Sequence, residues 1–211
     1  QTLMRLRITF SKQGALRYTG HLDLHTLLER AARRANLPLA YSQGFHPTPK
    51  IQLASALPLG FSSRAEMMDM WLTTECELSQ IRADLQSTLP RDIQILNMEV
   101  VDDRAPALQT QLIAAEYEAT LTEPASNLTS RLAALSEAAS LPRERRGKTY
   151  DLRPLIESLE AAPADGSGRG RIFMRLTARE GATGRPEEVL SALEIPPESV
   201  RVERTRLIFQ G

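Results

Sequence analysis

The chain's three histidines all lie in its first quarter, and histidine is the side chain whose charge changes nearest to neutral pH. His21 and His25 are four residues apart, so on a helix they would share one face, a spacing that suits two metal ligands. The glutamate of the H-E-x-x-H zinc pattern is missing, however, and we predict no metal site. The other chemical use is acid–base catalysis by His21, His25 or His46, and the alternative is that they have no chemical role.

The segment Arg17–His25 leads into a predicted helix. A helix start presents unpaired backbone N–H groups and a partial positive charge, which together attract anions. Cations from Lys12, Arg17 and His21 would strengthen such an anion site. The alternative is an ordinary helix cap, in which a threonine or aspartate of the same segment accepts hydrogen bonds from the backbone. The sequence leaves both interpretations open.

The segment Gly44–Lys50 combines an aromatic ring, a histidine and a lysine in a loop that two prolines stiffen. Phe45 could stack on a nucleic-acid base, with His46 beside it, while Lys50 holds a phosphate. The alternative is a stiff connection whose Phe45 lies in the core.

Three arginines follow one another on the predicted helix, and they could track a phosphate backbone. Arg30 and Arg34 are one turn apart, and Arg33 lies beside them. Glu29 stands four residues before Arg33, so an ordinary surface ion pair is the alternative for part of this stretch.

Later in the chain, residues 143–148 hold four cations around one glutamate, a loop composition that would suit RNA. The segment Tyr150–Pro154 follows it and places Asp151 and Arg153 on the same side of an extended chain. We expect these two side chains to form a structural ion pair.

The formal net charge of the 211 residues is zero, but residues 1–50 hold eight Lys and Arg against two acids. A neutral total can therefore hide a basic surface that attracts phosphate.

The single Cys76 excludes an internal disulfide, an iron–sulfur cluster and a thiolate zinc site, so we expect a cytoplasmic protein without a cofactor. The chain also lacks a membrane-length apolar run and the glycine-rich or serine motifs of nucleotide-binding proteins and hydrolases.

Hydrophobic periodicity predicts the elements that must position these residues. Their order is strand, helix, extended segment, strand, helix, strand, and it is repeated after a polar connector. The predicted segments of the first half are Met4–Phe10, Leu24–Ala35, Leu39–Leu57, Glu66–Thr73, Glu77–Leu89 and Asp92–Val101. This βαββαβ order predicts an α+β fold of two tandem ferredoxin-like halves, residues 1–105 and 106–211, each an antiparallel sheet with helices on one face. Trp71 alternates against Met70 and Leu72, so it should lie on the other face, covered by the second half or a partner.

Several segments resemble the radical-SAM-linked proteins, a bacterial domain family of unknown function. They are Leu6–Phe10, Gly20–Asp23, Glu29–Arg34, Leu37–Phe45, Pro47–Lys50, Leu57–Gly60 and Tyr150–Pro154. The resemblance covers most of the first half and little of the second. The family often has Asn and His where this chain has His46 and Thr48, and it has no established catalytic residues to carry over.

Members of that family are encoded beside a radical SAM protein or fused behind one, often near ribonuclease and ribosomal-protein genes. A fused origin would fit a chain that opens on Gln1 rather than Met. The resemblance implies a radical SAM protein as partner and transfer or ribosomal RNA as ligand. We therefore expect an accessory RNA-binding module, not an enzyme on its own. The alternatives are a metal-independent endoribonuclease using a histidine, and a protein-binding scaffold for the radical SAM partner.

Overall fold

A computed structural model describes residues 3–162 and 166–211. The chain forms two compact units, Gln1–Gln111 and Leu112–Gly211. The expected α+β class is confirmed, with helices and mostly antiparallel strands in both units. The units divide after Gln111, whereas the sequence predicted a division after residue 105. The reason is a short helix, α3 (Leu108–Gln111), which packs near strand β2 (Ile51–Leu53) and buries Leu108 in the first unit.

The first unit has an antiparallel sheet in the order β2-β3-β1-β4. Its remaining elements are β1 (Met4–Lys12), α1 (His21–Arg34), β3 (Ser62–Leu72), α2 (Leu78–Thr88) and β4 (Ile93–Val101). The segment Leu39–Leu57, predicted as extended structure interrupted by a loop at Gly44–Pro49, contains the three residues of β2 and isolated bridges at Leu39 and between Tyr41 and Pro49.

Alternation along β1 sorts its side chains onto two faces. Leu6 and Ile8 lie in the core with Leu28 of α1 and Leu85 of α2, and none of these four is exposed. Arg5 and Arg7 point to the opposite face, where they meet side chains of β3. The helices therefore cover the apolar face of β1, and its opposite face, which carries Arg5 and Arg7, is the polar face of the sheet.

The first helix begins one residue after Gly20, so His21 is its first residue and neither Thr19 nor Asp23 occupies the cap position. It ends at Arg34, and two residues later Asn36 takes a left-handed backbone conformation with φ 53°, which ends the helix before Pro38. The arginines of its last turn therefore lie at the negative end of the helix dipole, a favourable position for cations.

The second unit is built from β5 to β11 with helices α4 and α5. Their bounds are β5 (Leu112–Leu121), α4 (Leu128–Glu137), β6 (Pro142–Arg145), β7 (Lys148–Asp151), β8 (Ile156–Ala162), β9 (Arg171–Arg179), β10 (Ala182–Thr183), α5 (Pro186–Ala192) and β11 (Val200–Phe209). The sheet order is β9-β5-β11, and β8 and β10 both pair with the outer edge of β9. β6 and β7 form a separate hairpin. β7 and β8 are separated by a 3-10 turn at Arg153–Leu155 that contains Pro154.

No helix among the described residues has the length and apolar character that a membrane crossing requires.

Candidate functional site

The loop that follows α1 is a hairpin, which we call the Phe45 hairpin (residues 40–50). Lys50 N donates to Ala40 O and Ser42 N to Thr48 O, both at 2.8 Å. Gly44 at its tip has φ 133°, a conformation that side chains disfavour. Phe45 is fully exposed, so the interpretation that places its ring in the core is wrong. His46 is exposed beside it.

Lys50 lies at the base of this hairpin and is only partly exposed. Its Nζ stands 5.4 Å from the ring centroid of Trp71, close enough for a cation–π contact. Lys50 is therefore held against the sheet, away from the exposed tip that carries Phe45.

The three arginines of α1 are exposed at the end of the helix, as a phosphate-contacting stripe requires. Arg34 Nη2 donates to Thr88 O at 2.8 Å, which fixes that side chain against the end of α2. Glu29 Oε1 lies 3.5 Å from Nδ1 of His25, four residues before it on the same helix. Arg30 and Arg33 project from the same helix end without being buried.

His25 fastens α1 to β2 and is poorly placed for proton transfer. Its Nε2 lies 3.1 Å from Ile51 O while its Nδ1 faces Glu29, so both ring nitrogens are engaged. His21 and His46 are exposed. Within the part of the chain that the structure describes, no three His, Cys, Asp or Glu side chains group closely enough to hold a metal ion.

Lys12 does not reach the surface. Its side chain is 1% exposed, and its Nζ donates to Thr19 O at 2.7 Å. It therefore braces the turn before α1 and cannot be the surface phosphate contact predicted for it. Arg17 is half-buried, and its guanidinium lies 4.8 Å above the ring of Tyr18. Of the cations predicted for the anion site, Lys12 is therefore buried and Arg17 is engaged with an aromatic ring.

A buried ionic cluster on the polar face of the sheet was missed by the sequence reasoning. Asp69 Oδ2 accepts from Arg5 Nε at 3.0 Å and Nη2 at 2.6 Å, and Arg7 Nε donates to Asp69 Oδ1 at 2.9 Å. The hydrogen bond to Asp69 raises the pKa of Arg7. Arg5 also lies 4.9 Å over Trp71 and donates to Pro106 O at 2.9 Å. Within its own unit, Trp71 is therefore covered by two cations and the 102–106 connector.

This cluster is structural, since Asp69 is fully buried and Arg5 is 2% exposed. Trp71 Nε1 donates to Asp103 Oδ1 at 2.7 Å, which adds a second link to the connector. The sequence pattern that could have indicated this cluster is the alternation of Arg5 and Arg7 with apolar residues in β1. The matching pattern in β3 is Asp69 between Met68 and Met70. Only the pairing of β1 with β3 brings these residues together.

In the second unit the segment Tyr150–Pro154 is structural, but not through the expected ion pair. Asp151 Oδ1 accepts from Leu141 N at 2.7 Å and Arg153 N at 3.0 Å, and these backbone bonds lower the pKa of Asp151. The Arg153 guanidinium donates to Ser136 O at 2.7 Å and Ile156 O at 3.1 Å. Asp151 therefore closes the base of the β6–β7 hairpin, and Arg153 ties it to α4 and β8.

A cleft of about 800 Å³ also lies in the first unit, beside the end of β4. Its lining includes Glu75, Asp102 and Asp103 against one arginine, Arg104. This excess of carboxylates repels phosphate, so the cleft is not a candidate for binding nucleic acid.

Comparison with known proteins gives a family match without an activity. A family model described as "Uncharacterized protein conserved in bacteria (DUF2344)" matches residues 5–186. No curated protein matches the chain.

The solved structures that are similar to this chain include two at low identity. A chain of an H/ACA RNP bound to a substrate RNA containing 2′-deoxyuridine is 12% identical with a TM-score of 0.46, over 96% of this chain and 47% of that one. This chain therefore spans about half the length of that relative. A putative glycine cleavage system transcriptional repressor is 14% identical with a TM-score of 0.27, over the full length of both chains.

Proposed function

Because the chain belongs to the DUF2344 family of uncharacterized proteins conserved in bacteria, whose description assigns no activity, we propose a function from its own surface. The protein is an accessory module that binds single-stranded RNA, transfer or ribosomal, through the Phe45 hairpin and the arginines of α1. It presents that RNA to a radical SAM protein, the partner implied by the resemblance of its motifs.

The exposed ring of Phe45 is the observation that carries this proposal. A phenylalanine left wholly in water at a hairpin tip gains nothing for folding, so its ring is available for a ligand. Stacking of an unpaired base on an aromatic ring contributes about 1–3 kcal/mol and tolerates any base. His46, exposed next to it, adds a second flat side chain to the same tip.

The exposed cations of α1 support the same ligand. Arg30, Arg33 and Arg34 project from one helix end, and Arg30 and Arg34 stand about 6 Å apart along the axis, four residues at 1.5 Å each. Arginine binds phosphate through a planar fork of donors. A strand that stacks on the hairpin can therefore be held by its backbone as well.

The strand orders support our inference that both units are ferredoxin-like halves. The first unit follows β2-β3-β1-β4, and the second follows β8-β9-β5-β11. In that correspondence the β6–β7 hairpin and β10 are additions to the second half. Duplicated halves of this kind present an α-helical face and a free set of loops in each unit.

Replacing Phe45 with Ala tests the proposal directly. We expect the affinity for a labelled single-stranded RNA to fall about 5- to 150-fold, which corresponds to the loss of one stacking contact. Fluorescence anisotropy at one fixed salt concentration measures the change.

Phe173→Ala is the matched control, because Phe173 is the exposed phenylalanine of the second unit and lies against Arg171 at 5.3 Å. It should leave RNA affinity unchanged. Equal affinity of the wild type and Phe45→Ala would contradict the proposal, and so would an equal loss in the control.

A second candidate function, a docking scaffold for the radical SAM protein, is favoured by a different observation. Leu22 and Leu59 are 80% and 65% exposed, and Tyr18, four residues before Leu22, is also exposed. Gly60 N donates to Arg17 O at 2.8 Å, which brings the two segments together. Exposed leucines do not serve RNA but do serve a protein interface.

Replacing both Leu22 and Leu59 with Ser should abolish co-purification with the radical SAM protein in high salt, because the contact is apolar. RNA affinity should be unchanged. Leu96→Ser, at an exposed leucine of β4, is the control. If co-purification survives the double substitution, or is lost equally in the control, this surface is not the docking site.

A further inference from the structure

The β6–β7 hairpin places basic and aromatic side chains on one face. Arg143 pairs across the hairpin with Tyr150, and Arg145 pairs with Lys148. Residues that face one another, and those two positions apart, share a side of a hairpin, so these four lie together. Arg143, Arg145 and Tyr150 are half-buried, which turns this face toward the rest of the second unit. The turn between the strands has positive φ at Arg146 and Gly147, as a tight two-residue hairpin requires.

Arg185 approaches this face from the residue before α5. Burial raises the pKa of the Tyr150 hydroxyl, and Glu188 raises it further, whereas the cations of Arg145, Arg185 and Arg143 lower it. Arg143 lies directly across the hairpin from Tyr150, and the charge of Arg185, from a separate element, is near enough to act on the same phenol. Arg185 Nη1 lies 3.6 Å from Glu187 Oε1, a contact that leaves its Nε free.

The cluster contains polar atoms that its own side chains do not satisfy. Arg143 Nε and Arg185 Nε are both buried, and neither has a hydrogen-bond partner in the described part of the chain. A buried donor without an acceptor costs about 1–3 kcal/mol. Two such donors from separate elements beside one phenol indicate that an acceptor from outside the chain completes the cluster.

We propose that Arg143, Arg185 and Tyr150 form a binding site for a phosphate group in the second unit. The two guanidinium groups offer Nε–H and Nη–H donors in the planar fork that matches phosphate oxygens, and the phenol adds an O–H. Arg145 supplies a further positive charge. This site goes beyond the RNA surface of the first unit and does not depend on it.

Glu187 gives the site a preference among anions. Its Oε2 is buried and, among the described residues, has no hydrogen-bond partner, so it can accept a hydrogen bond from the ligand. Inorganic phosphate keeps a P–OH group at neutral pH and can donate that hydrogen bond, whereas fully ionised sulfate cannot. The carboxylates of Glu187 and Glu188 also limit the excess of positive charge. The site therefore binds phosphate more tightly than sulfate.

Isothermal titration of inorganic phosphate into the full chain tests this site. Arg143→Gln and Arg185→Gln should each weaken phosphate binding at least about 10-fold, as the loss of a hydrogen bond to a charged group does. Arg146→Gln, in the turn of the same hairpin, removes an equal charge from an exposed position and should change little. Glu187→Gln should remove the preference over sulfate. Tyr150→Phe provides a variant that changes no formal charge and should also weaken binding.

Two further titrations identify the source of the phosphate group. An oligoribonucleotide with a 5′-phosphate should compete with inorganic phosphate if the ligand is an RNA end, and the same oligomer with a 5′-hydroxyl should not. If neither competes, the ligand is a free phosphate. Phe45→Ala should leave phosphate binding intact, which separates this site from the RNA surface. Absence of phosphate binding, equal binding of sulfate, or an equal loss in Arg146→Gln would overturn the proposal.

Discussion

Replacing Asp69 with Ala is expected to lower the free energy of unfolding by about 3–5 kcal/mol, the usual effect of removing one partner of a buried ion pair. Asp69 is fully buried and accepts hydrogen bonds from Arg5 and from Arg7. Without the carboxylate, the Arg5 guanidinium keeps its charge in the interior with only backbone carbonyls and the Trp71 ring to solvate it. Urea denaturation followed by circular dichroism measures the change.

The control is a surface ion pair of the same unit. Arg91 is almost fully exposed and lies 3.9 Å from Asp92, so Arg91→Ala should change the free energy of unfolding by less than about 1 kcal/mol. Replacing Arg5 with Met and Asp69 with Leu together should recover much of the stability that Asp69→Ala loses, because the buried Arg5 charge is then removed with its partner. Arg7, which also loses Asp69, is partly exposed to water. If Asp69→Ala destabilises the protein no more than Arg91→Ala, the cluster does not hold the sheet.

This cluster marks the limit of what the sequence could predict. The alternation of Met4–Phe10 predicted β1, and the same pattern around Met68 predicted β3, because each strand has one apolar face. Which residue of β3 lies opposite Arg7 depends on register, and no local pattern gives it. Arg5 and Lys12 therefore counted toward a basic surface, although both are buried. A charge count treats every cation as exposed.

The Phe45 hairpin contains a residue that the sequence could have placed in the core but that is exposed. Its prolines and glycine predicted a stiff loop, but the position of one aromatic ring, exposed or in the core, is decided by where the loop ends attach. Ala40 N donates to Trp71 O at 2.8 Å, which roots the hairpin on β3 and leaves its tip in solvent.

In the second unit, residues 143–148 read as a basic loop. Pairing of Arg143 with Tyr150 makes them a hairpin with a defined basic face.

Reversing the charge of Arg30, Arg33 and Arg34 to Glu is expected to weaken RNA binding about 100-fold or more and to change its dependence on salt. Each phosphate contact on a single strand contributes about 0.7 to the slope of log affinity against log salt concentration. Loss of three contacts should therefore lower the slope by about 2. Anisotropy titrations of a single-stranded RNA at several salt concentrations give both quantities.

Reversing Arg179, Arg201 and Arg206 is the matched control, because these arginines of the second unit are exposed and the change in total charge is identical. A general effect of net charge would weaken binding equally in both triple variants. A specific contact surface on α1 weakens it only in the first. If the salt slope of the first variant equals that of the wild type, the arginines of α1 do not bind the RNA backbone, and Phe45 would have to act with other cations.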